Sequence, residues 1–104
     1  MLLSAHHLAD TNTSLLNDVH MIALFSLLEE AEPLRSGAAE ALEAIGVVDF
    51  SMRGINARRS EDRLETARLL IAIATPKALR GVILLLKDPS EQIRSLTTEA
   101  IRQL

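Results

Sequence analysis

Apolar residues recur along this chain at helical spacing, and prolines and glycines cut the pattern into pieces. From Ser14 to about Ala31, the residues Leu15, Val19, Ile22, Ala23, Leu24, Leu27 and Leu28 predict one long amphipathic helix with Ser14 as its N-cap. Pro33 suits a first helical turn, where its missing N–H costs nothing, so a second helix is predicted from there to Ile45, stopping at Gly46. The short connection makes these two an antiparallel hairpin. A third helix is expected over 48–57, with Val48, Met52 and Ile55 inward and Gly54 weakening it by about 1 kcal/mol relative to Ala. Ser60 reads as the N-cap of a fourth, with Glu61 and Asp62 on its positive end and Leu64, Ala67, Leu70, Ile71 and Ile73 following. Thr75 and Pro76 start a fifth helix, which takes in Leu79, Val82, Ile83, Leu85 and Leu86. Asp88-Pro89-Ser90-Glu91 starts a sixth, with Asp88 as cap, Pro89 in the first helical position and Glu91 completing a capping box. Residues 1–13 are expected to be flexible or to form a short leading helix capped by Ser4, and 14–104 to be one helical domain. No stretch alternates with period two between hairpin turns, so no sheet is expected.

The pieces resemble one another. Leu34-Arg35-x-x-Ala38-Ala39-x-Ala41-Leu42-x-x-Ile45 returns 59 residues later as Ile93-Arg94-x-x-Thr97-x-x-Ala100-Ile101-x-x-Leu104. A weaker copy between them has Arg63, Ala67, Leu70 and Ile73, so the three arginines are 28 and 31 residues apart. A period near 30 marks stacked helical repeats. The small residues Ala38, Ala41, Ala67 and Ala100 are then expected to be buried where helices touch.

The run Leu85-Leu86-Lys87-Asp88-Pro89, with Ile93, Arg94, Thr97, Ala100, Ile101 and Leu104 after it, resembles the HEAT repeat, in the short variety of about 30 residues also found in phycobilisome lyases. The resemblance implies an all-α fold: a short right-handed α-solenoid of about three antiparallel helix pairs over most of 15–104. Three departures stand out. Thr97 replaces the usual Ala, Asp62 replaces the aliphatic residue before Arg63, and Ala31-Glu32-Pro33 replaces an Asp-Pro turn.

Composition narrows the function. Of 104 residues 48% are hydrophobic, yet Trp, Tyr and Cys are absent and only Phe25 and Phe50 are aromatic. The core is therefore aliphatic, and disulfides, thiolate metal sites and cysteine nucleophiles are excluded. The N-terminus lacks a basic region followed by a long apolar run, and no apolar run approaches the roughly 18 residues that span a bilayer. A cytoplasmic chain is expected, with no membrane insertion, either by itself or as the cytosolic part of a larger protein. Charge is uneven. Residues 1–52 hold one basic and eight acidic residues, whereas 53–104 hold ten basic and six acidic.

Candidate sites are few. His6, His7 and Asp10 place nitrogen and oxygen donors close together at the terminus, but a solvated polar end explains them more simply than a metal site, and no metal or other cofactor is assigned. His20 has no Ser or Cys partner in a nucleophile motif, so no catalytic residue is assigned. Glu29, Glu30 and Glu32 sit at the unfavourable negative end of the first helix and form a candidate acidic surface, or simply a solvated turn. Arg53, Arg58, Arg59, Arg63 and Arg68 are five arginines in sixteen residues, suited to carboxylate or phosphate partners, with Glu61, Asp62 and Glu65 interleaved. Arg63, at the repeat position, is also placed to reach a neighbouring helix turn.

Three functions follow. A non-catalytic protein-binding or scaffold module fits the repeats and the lack of catalytic motifs, since repeat arrays present extended binding surfaces. Nucleic-acid or anionic-surface binding through the arginines is the alternative, opposed by a pI near 5.5 and the missing Trp and Tyr. A lyase-like or chaperone-like role rests on the family resemblance alone. A protein partner is expected, and so is self-association: an isologous homodimer closing over the last helix through Leu96, Ile101 and Leu104 is the simpler form, and head-to-tail stacking, which would use the opposite charges of the two halves, is the alternative.

Overall fold

The structure, a computed structural model, describes residues 21–104. Ser4, Ser14, His6, His7, Asp10 and His20 lie outside the described residues. Helices α1 (Met21–Leu27), α2 (Leu34–Ala44), α3 (Val47–Met52), α4 (Ser60–Ile73), α5 (Pro76–Leu84) and α6 (Glu91–Arg102) are joined by short loops, and 3-10 turns extend α3 (Arg53–Asn56) and α5 (Leu85–Lys87). Among the described residues there is no strand. The chain divides into two compact units, Met1–Ala38 and Ala39–Leu104.

In the first unit, α1 stops at Leu27 and does not continue to Ala31. Its last carbonyls, on Phe25, Ser26 and Leu27, take the N–H groups of Leu28, Glu29 and Glu30 at 3.0–3.2 Å, the tightening that ends many helices. The acids favour the stop, since Glu29 and Glu30 oppose the helix dipole. The start of α2 follows directly after Pro33, whose carbonyl accepts the N–H of Gly37 at 3.0 Å.

The second unit is built around two helix pairs of similar plan. Gly46, with φ 93°, leads into α3 through a left-handed conformation open to glycine at little cost. The helix expected over 48–57 is a short α-helix with a 3-10 end, and Gly54 in that end serves contact. A Cβ on it would collide with Thr66 Oγ1, so only glycine lets this backbone lie against α4. Ser60 does not cap α4. Arg59 holds the cap position in an extended conformation without a side-chain bond, and Ser60 is the first helical residue. The helix ends at Ala74, in the left-handed region at φ 54°. Thr75 caps α5 as expected, accepting the N–H of Ala78 at 3.2 Å with Pro76 in the first position. The start of α6 is shifted by two residues. Ser90 is its cap and accepts from Ile93 N, while Pro89 and Asp88 lie outside the helix and Glu91 is too early for a capping box.

Within each pair α3 packs on α4 and α5 on α6, and between pairs α3 meets α5 and α4 meets both α5 and α6. Val48, Ala67, Leu70, Ile73, Ala78, Val82, Leu85 and Ile93 are almost wholly removed from water. Ile55, Leu64 and Leu96 flank the cluster of Ala67, Leu85 and Ile93. Ala38 and Ala67 are buried, but Ala41 and Ala100 are only half-buried, because the inward positions fall on Ala39 and Leu42 in α2 and on Thr97 in α6.

Thr97 is fully buried without cost to its hydroxyl, which donates to Ile93 O at 2.9 Å, the back-bond that satisfies a helical threonine. Thr66, 31 residues earlier, donates in the same way to Asp62 O at 3.0 Å.

Candidate functional site

The repeat-position arginines have the same local role in both pairs. Each stands four residues after its helix cap and folds back over the preceding turn. Arg63 Nη1 donates to Ala57 O at 2.9 Å and Arg58 O at 3.1 Å, and Arg94 Nη1 donates to Asp88 O and Pro89 O, both at 2.8 Å. Arg35 is out of this register, as the second residue of α2.

Arg63 also reaches across to the second pair. Its Nε donates to Asp88 Oδ2 at 2.8 Å and its Nη2 to Asp88 Oδ1 at 3.2 Å, a bidentate pairing. The arginine side chain is 15% exposed and the aspartate side chain 3%. Asp88 Oδ1 further accepts the N–H of Ser90 at 2.8 Å, so one carboxylate both shapes the turn before α6 and ties that turn to α4. Burial by itself pushes the Asp88 carboxyl up. The bonds from Arg63 and Ser90 and the charges of Arg63 and Arg94 outweigh it and hold the group below the usual carboxylate range.

The other arginines of the run have separate local settings. Arg53 lies over the ring of Phe50, 5.8 Å from its centroid. Arg58 is exposed on the turn before α4. Arg59 binds Glu61 Oε1 at 2.9 Å, and Arg68 approaches Glu65 at 3.9 Å. Since Arg63 and Arg68 are five helical residues apart, they point from different faces of α4.

On the acidic side, Glu29 and Glu30 are exposed in the turn after α1. Glu32 plays a defined local part, since its Oε1 accepts both the N–H of Ser36, at 3.1 Å, and the Ser36 hydroxyl, which closes the first turn of α2. Those bonds hold its carboxyl below the usual range.

Several features escaped the sequence reading. Asp88 looks like a cap, and only its register against Ala57 in the earlier copy hints at a different role. Lys77 meets Asp49 at 2.6 Å, and the hydrogen bond raises the lysine above its ordinary value against a desolvation that lowers it, with Glu43 adding to the rise. Ser51 is buried with its Oγ unpartnered, at the position that Val82 fills one repeat later. Large apolar side chains stand exposed at Phe50, Ile83 and Leu84. Leu96, expected at a dimer contact, packs instead beside the internal core.

Among the described residues no group of three or more His, Cys, Asp or Glu is arranged to hold a metal ion, and no helix is long and apolar enough to cross a membrane. No family model, curated protein or solved structure matches the chain.

Proposed function

We propose that the chain is a non-catalytic protein-interaction or scaffold module, built as a short right-handed α-solenoid of HEAT-like helix pairs. The observation that carries this reading is the recurrence of side-chain roles at 31 residues: Arg63 and Arg94 over their turns, Thr66 and Thr97 back-bonded in their helices. Chains that repeat packing chemistry in this way gain extended surfaces for partners. Phe50, Ile83 and Leu84 are exposed and offer apolar area that a partner could cover.

Affinity capture with the tagged full chain tests it, set beside Phe50→Asp and Ile83→Asp variants whose helicity is unchanged. A protein held by the wild type and released by either variant supports the reading. Capture of no protein counts against it. The second reading, binding of nucleic acid or an anionic surface, draws on exposed Arg53, Arg58, Arg59 and Arg68. Salt-labile retention of duplex DNA or anionic vesicles, lost in an Arg53→Glu/Arg58→Glu variant, would put it first. A lyase-like or chaperone-like role still rests on the family resemblance alone.

A further inference from the structure

The exposed stripe of α6 has an order of charges that is its own complement. Glu91, Arg94, Ser95, Thr98, Glu99 and Arg102 line a shallow open groove and are all exposed. Their spacings along the helix, three, one, three, one and three residues, read the same in both directions. Their chemistry runs acid, base, hydroxyl, hydroxyl, acid, base. Reversed, it runs base, acid, hydroxyl, hydroxyl, base, acid, so an antiparallel copy of the stripe sets every charge against its opposite. A parallel copy in register sets like against like.

We propose that α6 is a dimerisation helix, on which a second copy of this chain docks antiparallel about a two-fold axis. Glu91 then faces Arg102 of the second copy, and Arg94 faces its Glu99. The same patch serves both partners, as a two-fold interface requires. Ser95 and Thr98 lie at the centre, where small side chains allow the helix axes to approach.

Arg94 and Glu99 on this face are already held in place. Arg94 uses Nη1 on Asp88 O and Pro89 O, which leaves donors of its five-donor fork for an acceptor above the helix. Glu99 is steadied by Gln103 Nε2 at 2.8 Å and has Arg102 at 3.8 Å. Side chains ordered beforehand lose less freedom on pairing. This assignment rests on the interaction reading above and names a partner for it.

Sedimentation of the full chain over a range of concentrations tests the proposal. The expected result is a dimer at low salt that weakens at high salt, because exposed charges are screened within about 10 Å at 0.1 M. Glu91→Arg by itself and Arg102→Glu by itself each set like charges face to face twice, and each should weaken association about tenfold. Mixing the two variants restores both pairs, so the mixture should dimerise where neither variant does. Glu40→Arg mixed with Arg80→Glu carries the same charge changes elsewhere and should behave as the wild type. If a variant loses helicity, cysteines decide instead: the chain has none, and Ser95→Cys mixed with Thr98→Cys should cross-link more than either does with itself. A wild type that is monomeric at every concentration, a dimer indifferent to these charges, or self-cross-links exceeding the mixed one overturns the proposal. The heterologous reading is tested separately at Phe50 and Ile83, so the two failures are distinguishable.

Discussion

The two helix pairs of the second unit, 47–73 and 76–102, share a plan and differ in how they fill it. Both end their first helix in a 3-10 turn, place an arginine over the next turn and bury a back-bonded threonine. At the same register, however, Gly54 stands where the later pair has Leu85, Ser51 where it has Val82, and Ala57 where it has Asp88. The hydrogen bonds of the arginine and the threonine therefore repeat, while side-chain volume and buried charge are settled contact by contact. The earlier pair brings its backbone close to α4 through Gly54. The later pair fills the corresponding space with Leu85 and supplies, through Asp88, the anchor for the earlier pair's arginine.

The largest effect should come from the position with the most unequal roles. Asp88→Ala leaves the Arg63 guanidinium without its carboxylate in a site that is mostly closed to water, and should cost about 3 kcal/mol in chemical denaturation. An equal loss on Ala57→Asp, its counterpart, would erase the contrast between the pairs. Gly54→Ala comes next. Its methyl has nowhere to go but Thr66, whose own hydroxyl is tied to Asp62 O, so about 1–3 kcal/mol should be lost through overpacking. An unchanged melting temperature would show that the close approach is soft.

Ser51→Val should work in the opposite direction. It replaces a buried hydroxyl without a partner by the residue type used at Val82, and about 1 kcal/mol of added stability is expected. Destabilisation there would mean that the serine pocket is too narrow for the repeat's usual occupant. The smallest effects concern pH. Asp88 has a lowered folded value, so its contribution is present above the unfolded value, near 3.8, and is lost as pH falls through the folded one. Lys77 is raised, so its contribution is present below 10.5 and is lost as pH rises through the folded value. Stability curves of Asp88→Asn and Lys77→Met should lack the acid and the alkaline part of these losses respectively.

Much of this helical plan is legible in the sequence because its punctuation acts locally. Pro33, Gly46, Thr75 and Pro76 constrain their own backbone or their own first turn, and each marks the boundary it predicts. Asp88 and Pro89 mislead because a cap is a competition among adjacent residues that a contact far along the chain can decide, while Ser60 yields the cap position to its neighbour Arg59. Asp88 is drawn toward Arg63, which leaves Ser90 to cap α6. The arginine run shows the same limit. Adjacency in sequence groups the five residues but does not disclose the separate partners, Phe50, Glu61, Asp88 and Glu65, that Arg53, Arg59, Arg63 and Arg68 take.

The Arg63–Asp88 pair also bears on how this unit comes apart. In an array of like modules, stability separates into what each module holds by itself and what neighbours add across their boundary, and cooperativity resides in the second part. Here one carboxylate contributes to both: it organises its own module's turn and fastens the module before it. Fraying of the last helix pair therefore withdraws a counter-ion from the pair that remains, so that local melting at one end is transmitted inward as an electrostatic penalty.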